Sequence, residues 1–447
     1  MDDNASVTST STSKQHSLTS TKKRNVHEPA LPLHESTTPL WPSNNNADRR
    51  SWRFWLRLLT PSKEYLRGLF IRIITVIVIL GVIIALGIGL QYTDGLPTSE
   101  DFSNLEFDWQ VNPSSYLTPW NQSFQYNVLL DGHSHSNYSD GKMNVKQLLD
   151  WHIANGYNAV MVTDHNTLEG GLAAEQLALS DNYYRERIVV IPGMEYSCCR
   201  IHMNLIGIND TIPVGPPVPS DEQLQAVINQ THAMGGIVIV NHIPWSNTIE
   251  TGYQLPRLPN HPSVADLIAW GVDGFEVINQ GTFDWQTLQA AQAHNLIQMI
   301  GTDVHHPSVP VNAWLTVNSP AMNKSSIMNE ITARRTSFLY DPTGTPQRVY
   351  PDTSSGYEQL MPLTSLGDYF GMFYSIDKGM YSFQGTFCQP QQFQIQNNVI
   401  AWFIFWLIIL MVVYELVRAF VTWAAQAILH CHRRRTQNRT DASCHAS

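Results

Sequence analysis

The chain has 447 residues, room for two or three domains, and a formal net charge of −10. A nucleic-acid binder needs a basic surface, so that class is set aside; an anionic substrate is not, because bound metals invert local charge. Charged residues make up only 14% of the chain and hydrophobic ones 43%, whereas soluble domains carry about 25% charge, which points to membrane segments.

Residues 1–48 are rich in Ser, Thr, Asn and Pro without apolar periodicity and read as a disordered cytosolic tail. Arg49, Arg50, Arg53, Arg57, Lys63 and Arg67 follow, and Trp52, Trp55 and Leu56 among them suggest a short interfacial segment. Leu69–Leu90 is apolar except for Arg72. About 18 apolar residues suffice to cross a bilayer, so a first transmembrane helix is expected over 69–91. Its distance from the start of the chain suits a signal anchor rather than a cleaved signal peptide. A buried core helix is the alternative, but core helices are rarely so uniform.

From about Gln125, apolar runs bounded by Gly, Asp or Asn alternate with helical patterns. The strand candidates are YNVLLDG, NAVMVTDH, RIVVIPGMEYS, IHMNLIGI, GIVIVNH, GFEVINQ and IQMIGTDVH. Helix-like stretches run over 145–155, 168–179, 221–234, 264–270 and 285–295. The alternation implies a parallel α/β sheet, open or closed into a barrel. This domain is expected over 125–340. Residues 341–397, rich in Gly, Pro, Tyr and Gln, read as an irregular C-terminal extension of it.

A second transmembrane helix is expected over 399–424. Its later part, past Glu415 and Arg418, suits the membrane interface, because charge is costly at the bilayer centre. Residues 430–447, with Arg433, Arg434, Arg435 and Arg439, form a basic tail. Arginine and lysine thus flank both runs on their outer sides, while the inner flanks are acidic or neutral. The positive-inside rule then puts both termini in the cytosol and the domain in the lumen or outside the cell. Glycosylation sequons at Asn121, Asn137, Asn209, Asn229 and Asn323 all fall between the two runs. Asn137, inside the candidate metal loop, is expected to be too hindered for a glycan. Of Cys198, Cys199 and Cys388, one pair can form a disulfide in such a compartment.

The chemistry collects at strand ends. Asp131, His133 and His135 follow YNVLL; Asp164 and His165 end NAVMVT; Glu195 ends RIVVIPGM; His242 ends GIVIV; Asp303 and His305 end IQMIGT. In α/β sheets and barrels this edge is where active sites are built. Neutral imidazole and carboxylate are the ligands of Zn, Mn and Fe. His133 and His135, two apart on extended backbone, point to one side and can share an ion. Asp140 lies beyond a turn and can reach back to a second ion, and the two oxygens of Glu195 can bridge. Asp164 is expected either to orient a ligand histidine from behind or to cap the following turn. His152, His232 and His294, in helical stretches, read as ordinary partly exposed residues, and His306 as a solvent-facing neighbour.

These residues resemble the polymerase-and-histidinol-phosphatase (PHP) superfamily of metallohydrolases. The resemblance runs in order through His-x-His-Ser-x-x-Ser-Asp-Gly at 133–141, Thr163-Asp164-His165-Asn166-Thr167, Gly193-Met194-Glu195, His202, Asn241-His242 and Thr302-Asp303-x-His305. Residues 325–338 look like the helix and strand that follow in that family. One departure is His242-Ile243-Pro244, where the family has His followed directly by Pro. The resemblance implies a distorted (β/α)7 barrel, here flanked by two transmembrane helices, and two or three divalent ions, Zn, Mn or Fe. It implies His133, His135, Glu195 and Asp303 on one ion. Glu195 would bridge to a second, shared with His202 and His242. Asp140, His165 and His305 would hold a third.

With three divalent ions and three carboxylates such a cluster carries about +3. That suits a small phosphorylated substrate, hydrolysed by a metal-bridging hydroxide. Arg200, Arg257, Arg334 and Arg335 are the candidate clamps for it. The alternatives are a hydrolase of carboxylic or carbamate esters, and a membrane-anchored binding protein without turnover.

Overall fold

The computed structural model describes residues 62–91, 93, 95–247, 258–377 and 380–444. The expected tail through residue 48, the segment with Trp52, Trp55 and Leu56, and Arg257 lie outside the described residues. The chain divides into two units, Met1–Val76 and Ile77–Ser447. Of the first, the described part is the start of helix α1 (Lys63–Gln91).

The second unit holds the sheet. Its strands are β1 (Val128–Asp131), β2 (Ala159–Val162), β3 (Val189–Ser197), β4 (His202–Ile206), β5 (Ile237–Val240), β6 (Gly274–Asn279), β7 (Thr282–Phe283), β8 (Ile297–Gly301), β9 (Ala313–Val317) and β10 (Thr336–Tyr340). Helices α2 (Val145–Ala154), α3 (Glu169–Ser180), α4 (Asn182–Arg185), α5 (Asp221–Ala233), α6 (Ile243–Asn247), α7 (Val264–Trp270), α8 (Trp285–Ala293) and α9 (Lys324–Thr332) separate most of them. Each expected strand and helix of the domain is present within a few residues of its expected bounds. Polar caps start several helices where the apolar period begins. Asn144 with Gln147, and Ser220 with Gln223, form reciprocal capping boxes on α2 and α5.

Pairing runs β1-β2-β3-β4-β5-β6, with β8 beside β6. The ring then closes, because the chain just past β8 bridges the chain just past β1 at Ser134 and Val304. Gly132 N donates to Ile300 O at 2.9 Å and Asp303 N to His133 O at 2.8 Å. A Cβ added to Gly132 would lie 2.6 Å from Ile300 O, so only glycine permits this approach. The staves β1, β2, β3, β4, β5, β6 and β8 make the distorted seven-stranded barrel. Every residue of β1, β2, β4 and β5 is buried, as expected for strands covered on both faces.

The sheet is mixed rather than all parallel. β4 runs antiparallel to β3 and β5. Only residues 198–201 separate β3 from β4, and a parallel crossover needs a dozen or more. β9 and β10 extend the sheet on the other edge of β1, also antiparallel.

The extension at 341–397 is more ordered than its composition suggested. It contains helix α10 (Tyr357–Gly371) and the hairpin of β11 (Tyr374–Asp377) and β12 (Gln392–Ile395). The expected irregularity reflected its Gly and Pro, yet Pro362, Gly367 and Gly371 lie inside α10. Cys199 and Cys388 form a disulfide across 189 positions; Cys198 is free and buried. The final helix α11 (Asn397–Cys444) continues well beyond the expected span. Both α1 and α11 are long and apolar enough to cross a membrane, and only 6% and 0% of their apolar windows are buried. Neither window is buried among the described residues as a core helix would be.

Candidate metal centre

All nine expected ligands reach the same end of the barrel. His133 and His135 lie past β1, Asp140 on the following loop, His165 past β2, His242 past β5, and Asp303 and His305 past β8. Glu195 lies within β3. His202 is the first residue of β4, and because β4 is antiparallel its start falls at the edge where its neighbours end. His242 and Asp303 have φ of 26° and 50°, the left-handed region that non-glycine residues adopt at cost. Such strain concentrates at functional sites.

Glu195 is the hub. Its Oε1 lies 3.1 Å from His242 Nε2 and 3.2 Å from His202 Nδ1; its Oε2 lies 2.7 Å from His165 Nδ1 and 3.6 Å from both His133 Nε2 and His135 Nε2. Asp303 Oδ1 lies 3.2 Å from His135 Nε2 and 3.5 Å from His133 Nε2. Asp140 Oδ1 lies 3.1 Å from His305 Nε2 and 3.6 Å from His165 Nε2.

Four sets have donor atoms within 4.8 Å of one another: His133, His135 and Glu195; His133, His242 and Asp303; His165, Glu195 and His202; and His135, Asp140, His165 and His305. The sets bring together His133 and His135 with Glu195, His202 with Glu195, and Asp140 with His165 and His305, but they also put His135 in the last group and His165 with His202. His242 differs, grouping with His133 and Asp303. The extra residue in His242-Ile-Pro does not displace it: α6 begins at Ile243 and takes up Pro244 in its first turn.

The donor set fits metal ions. Buried Glu195 Oε2, Asp303 Oδ1, His135 Nδ1 and His202 Nδ1 have no hydrogen-bond partner, and buried polar atoms are seldom left so without an ion or water to satisfy them. His133 Nε2 faces His135 Nε2 at 3.0 Å, and His165 Nε2 faces His305 Nε2 at 3.3 Å. Two neutral imidazoles presenting lone pairs to each other repel, whereas two that share a cation do not.

The electrostatics agree. Burial, then His305 and His165, pulls His135 down to about 3, which keeps it neutral and fit for ligation. Burial pulls His202 down to about 4. Burial would raise Glu195, but His165, His202 and His133 hold it well below the usual carboxylate range. Asp303 is likewise held low by His133 and His135 against burial.

Several supporting residues differ from expectation. Asp164 does not bond an imidazole. Its Oδ1 accepts from Ser136 N at 2.7 Å and Ser139 Oγ at 2.8 Å, and its Oδ2 from Ser136 Oγ at 2.7 Å. These bonds hold the loop that leads to Asp140. His152 is fully buried, not partly exposed: its Nε2 meets Asp131 Oδ2 at 2.9 Å. Asp131 also accepts from Thr302 N at 2.8 Å and His133 N at 3.2 Å, which ties the ends of β1 and β8 together. Helical position alone concealed His152, because α2 turns that face inward.

The main residue that sequence reasoning missed is Glu276. Its Oε1 lies 3.1 Å from His133 Nδ1, and its Oε2 accepts from His242 N at 2.9 Å and Asn279 Nδ2 at 3.1 Å. The available signal was a lone carboxylate inside the apolar run GFEVINQ. The clamp candidates fare poorly. Arg334 bonds Asn295 O and Arg335 pairs with Glu330, both beside the start of β10, at the far end of the barrel. Arg200 is near the site end but bonds Asp221, Pro219 O and Asn260 O.

Comparisons with known proteins bear on this centre. The PHP domain family model matches residues 131–309. No curated protein matches the chain. Among solved structures, a two-domain protein from Bacteroides vulgatus, described as containing a predicted PHP-like metal-dependent phosphoesterase, is 18% identical; 57% of this chain and 73% of that one are covered, with a TM-score of 0.39. PsfC from Pseudomonas syringae is 16% identical, covering 56% and 99%, with a TM-score of 0.36. An amidohydrolase from Chromobacterium violaceum, with bound sulfate, is 18% identical, covering 48% and 98%, with a TM-score of 0.31.

Proposed function

We propose, from the match of residues 131–309 to the PHP domain family model and the geometry of the centre, that the chain is a membrane-anchored, metal-dependent phosphoesterase acting on a small phosphorylated substrate. The observation that carries the reading is Glu195: a fully buried carboxylate whose two oxygens face different histidines, with one oxygen lacking any hydrogen-bond partner. His133, His135, Glu195 and Asp303 would hold one ion, His202 and His242 would share Glu195 with a second, and Asp140, His165 and His305 would hold a third. When bound, such ions neutralise charge on a phosphoryl group and lower the pKa of water.

The chain's own groups set the rest. Asp140 and His305 lie at the open side of the centre, with side chains 43% and 32% exposed, so substrate reaches the cluster there. In the metal-free chain the two pair: Asp140 is held down to about 2 and His305 up to about 9, in each case against burial. As ligands of the third ion both would be unprotonated at the donor atom, so neither serves as the leaving-group acid. The described clamp candidates Arg200, Arg334 and Arg335 bond elsewhere, and in this reading the ions, Zn, Mn or Fe, two or three in number, supply charge recognition.

The two apolar helices and the arginine asymmetry support the placement of the domain on the lumenal or extracellular side, with both termini cytosolic. The full-length protein in detergent, analysed for metal content and assayed on phosphate and carboxylic aryl esters, decides the activity. Phosphate ester turnover that is lost on chelation supports the reading. Turnover of carboxylic esters alone would move it to the alternative hydrolase. Bound metal with no turnover of either would leave a binding protein.

A further inference from the structure

The C-terminal extension returns to the metal centre. Between β11 and β12, residues 380–388 make a tight loop ending at Cys388, which the disulfide fastens to Cys199 in the turn after β3. Ser382 N donates to Thr386 O at 2.9 Å and Cys388 N to Met380 O at 2.8 Å. Gln384 Nε2 donates to Gly215 O at 2.6 Å, which ties the loop to the segment after β4. These restraints hold Phe383 at φ 56°, a conformation a bulky residue adopts only when its surroundings impose it.

The imposed conformation has a consequence at the site. The Phe383 ring stacks on the His165 imidazole with centroids 3.6 Å apart and planes 18° apart. It also lies 6.2 Å from His202, which Trp245 approaches to 5.5 Å. One whole face of a candidate ligand ring is therefore covered by a side chain from outside the 131–309 domain. Nothing in the core calls for it: Phe383 is half-buried and is not part of either apolar core.

We propose that Phe383 is a specificity-determining residue of the metal centre, a wall held by the Cys199–Cys388 loop that limits the organic group of the substrate on the His165 side. With the ring at van der Waals distance, no substrate atom can occupy that face of His165. An alanine there opens a space the size of a phenyl ring. The class of ligand selected is a phosphoryl compound with a compact organic group; this part rests on the phosphoesterase reading, while the position of the wall does not.

The test uses the full-length protein in detergent and two readouts. In the metal-free chain, carbethoxylation of His165 by diethyl pyrocarbonate is followed by peptide mass spectrometry. Phe383→Ala and Cys388→Ser should each speed it several-fold, with carbethoxylation of exposed His294 unchanged as the internal reference. In the metal-loaded chain, calorimetric binding of methylphosphonate is compared with that of diphenylmethylphosphonate. Phe383→Ala should improve the relative affinity for the bulky compound by about tenfold, the scale on which a pocket wall discriminates size, and Phe383→Trp should not. Equal His165 labelling in wild type and Phe383→Ala would overturn the proposal, as would unchanged relative affinities. If no chain binds either phosphonate, the phosphoesterase reading fails and the labelling alone decides whether Phe383 covers His165.

Discussion

Glu276 stands directly behind His133. Its Oε1 lies 3.1 Å from His133 Nδ1, while His133 Nε2 points into the cluster. A proton held on Nδ1 by the carboxylate leaves Nε2 free as a lone-pair donor, and the same carboxylate fixes the backbone of His242. Outer groups of this kind are worth about 10- to 100-fold in metal affinity. Glu276→Gln should lose that much in a competition titration with a chromogenic chelator, while its circular dichroism stays that of the wild type. An unchanged metal affinity would remove Glu276 from the site.

The ligands and the partner behind them differ in how legible they were. His133, His135, His165, His305 and Asp303 sit in short polar segments that interrupt apolar strands, so the pattern of the chain exposes them. Glu276 sits within a strand and differs from its neighbours only by being charged. Its meaning depends on β6 lying one strand away from β1, with β8 between them, a long-range arrangement that local periodicity does not encode. The antiparallel β4 follows from the short turn between it and β3, which sequence spacing does contain. Phe383 lies far along the chain, in a segment without periodicity, and its approach to His165 depends on a disulfide whose pairing the sequence left open.

The pair of Asp140 and His305 gives the metal-free protein a pH signature. His305 is raised to about 9 from an ordinary value of 6.5, chiefly by Asp140 acting against burial. A group raised on folding contributes stability that is complete below its unfolded value and is lost as pH rises through the folded one. In the metal-stripped protein this contribution should disappear between about pH 6.5 and 9. The thermal midpoint of His305→Ala, subtracted from that of the wild type, should therefore shrink across this window. A difference that stays constant would show that the two side chains do not pair.

Topology is open to a direct check. The sequon residues Asn121, Asn137, Asn209, Asn229 and Asn323 are all exposed, Asn137 included, despite its place beside the metal loop. Glycosidase treatment should increase the gel mobility of the protein made in a secretory host, and no change would overturn the lumenal placement. Asn323 needs care, because its side chain also caps α9 by accepting from Ser326 N at 2.9 Å. Replacing a capping Asn with Ala costs about 1 kcal/mol. Asn323→Asp keeps the cap and removes the sequon, so it should change glycosylation without changing the melt.

The end of α1 meets the extension at two glycines. A Cβ placed on Gly87 would lie 2.9 Å from the backbone nitrogen of Gly367 in α10, and Gln91 Nε2 donates to Asp368 Oδ1 at 2.9 Å one turn on. Small residues let helix backbones approach this closely in membrane proteins. On its other side α10 reaches α11, where Phe373 and Phe403 lie 5.0 Å apart. The one helix thus touches the ends of both apolar helices. Gly87→Leu would force α1 and α10 apart, and overpacking of this kind costs roughly 1–3 kcal/mol. Gly89, two positions on, has nothing within 4 Å of such a Cβ, so Gly89→Leu adds the same bulk where there is room. In detergent the first variant should melt at a lower temperature than wild type and the second should not. Equal melting of the two leucine variants would mean that α1 and α10 do not pack through Gly87 and Gly367.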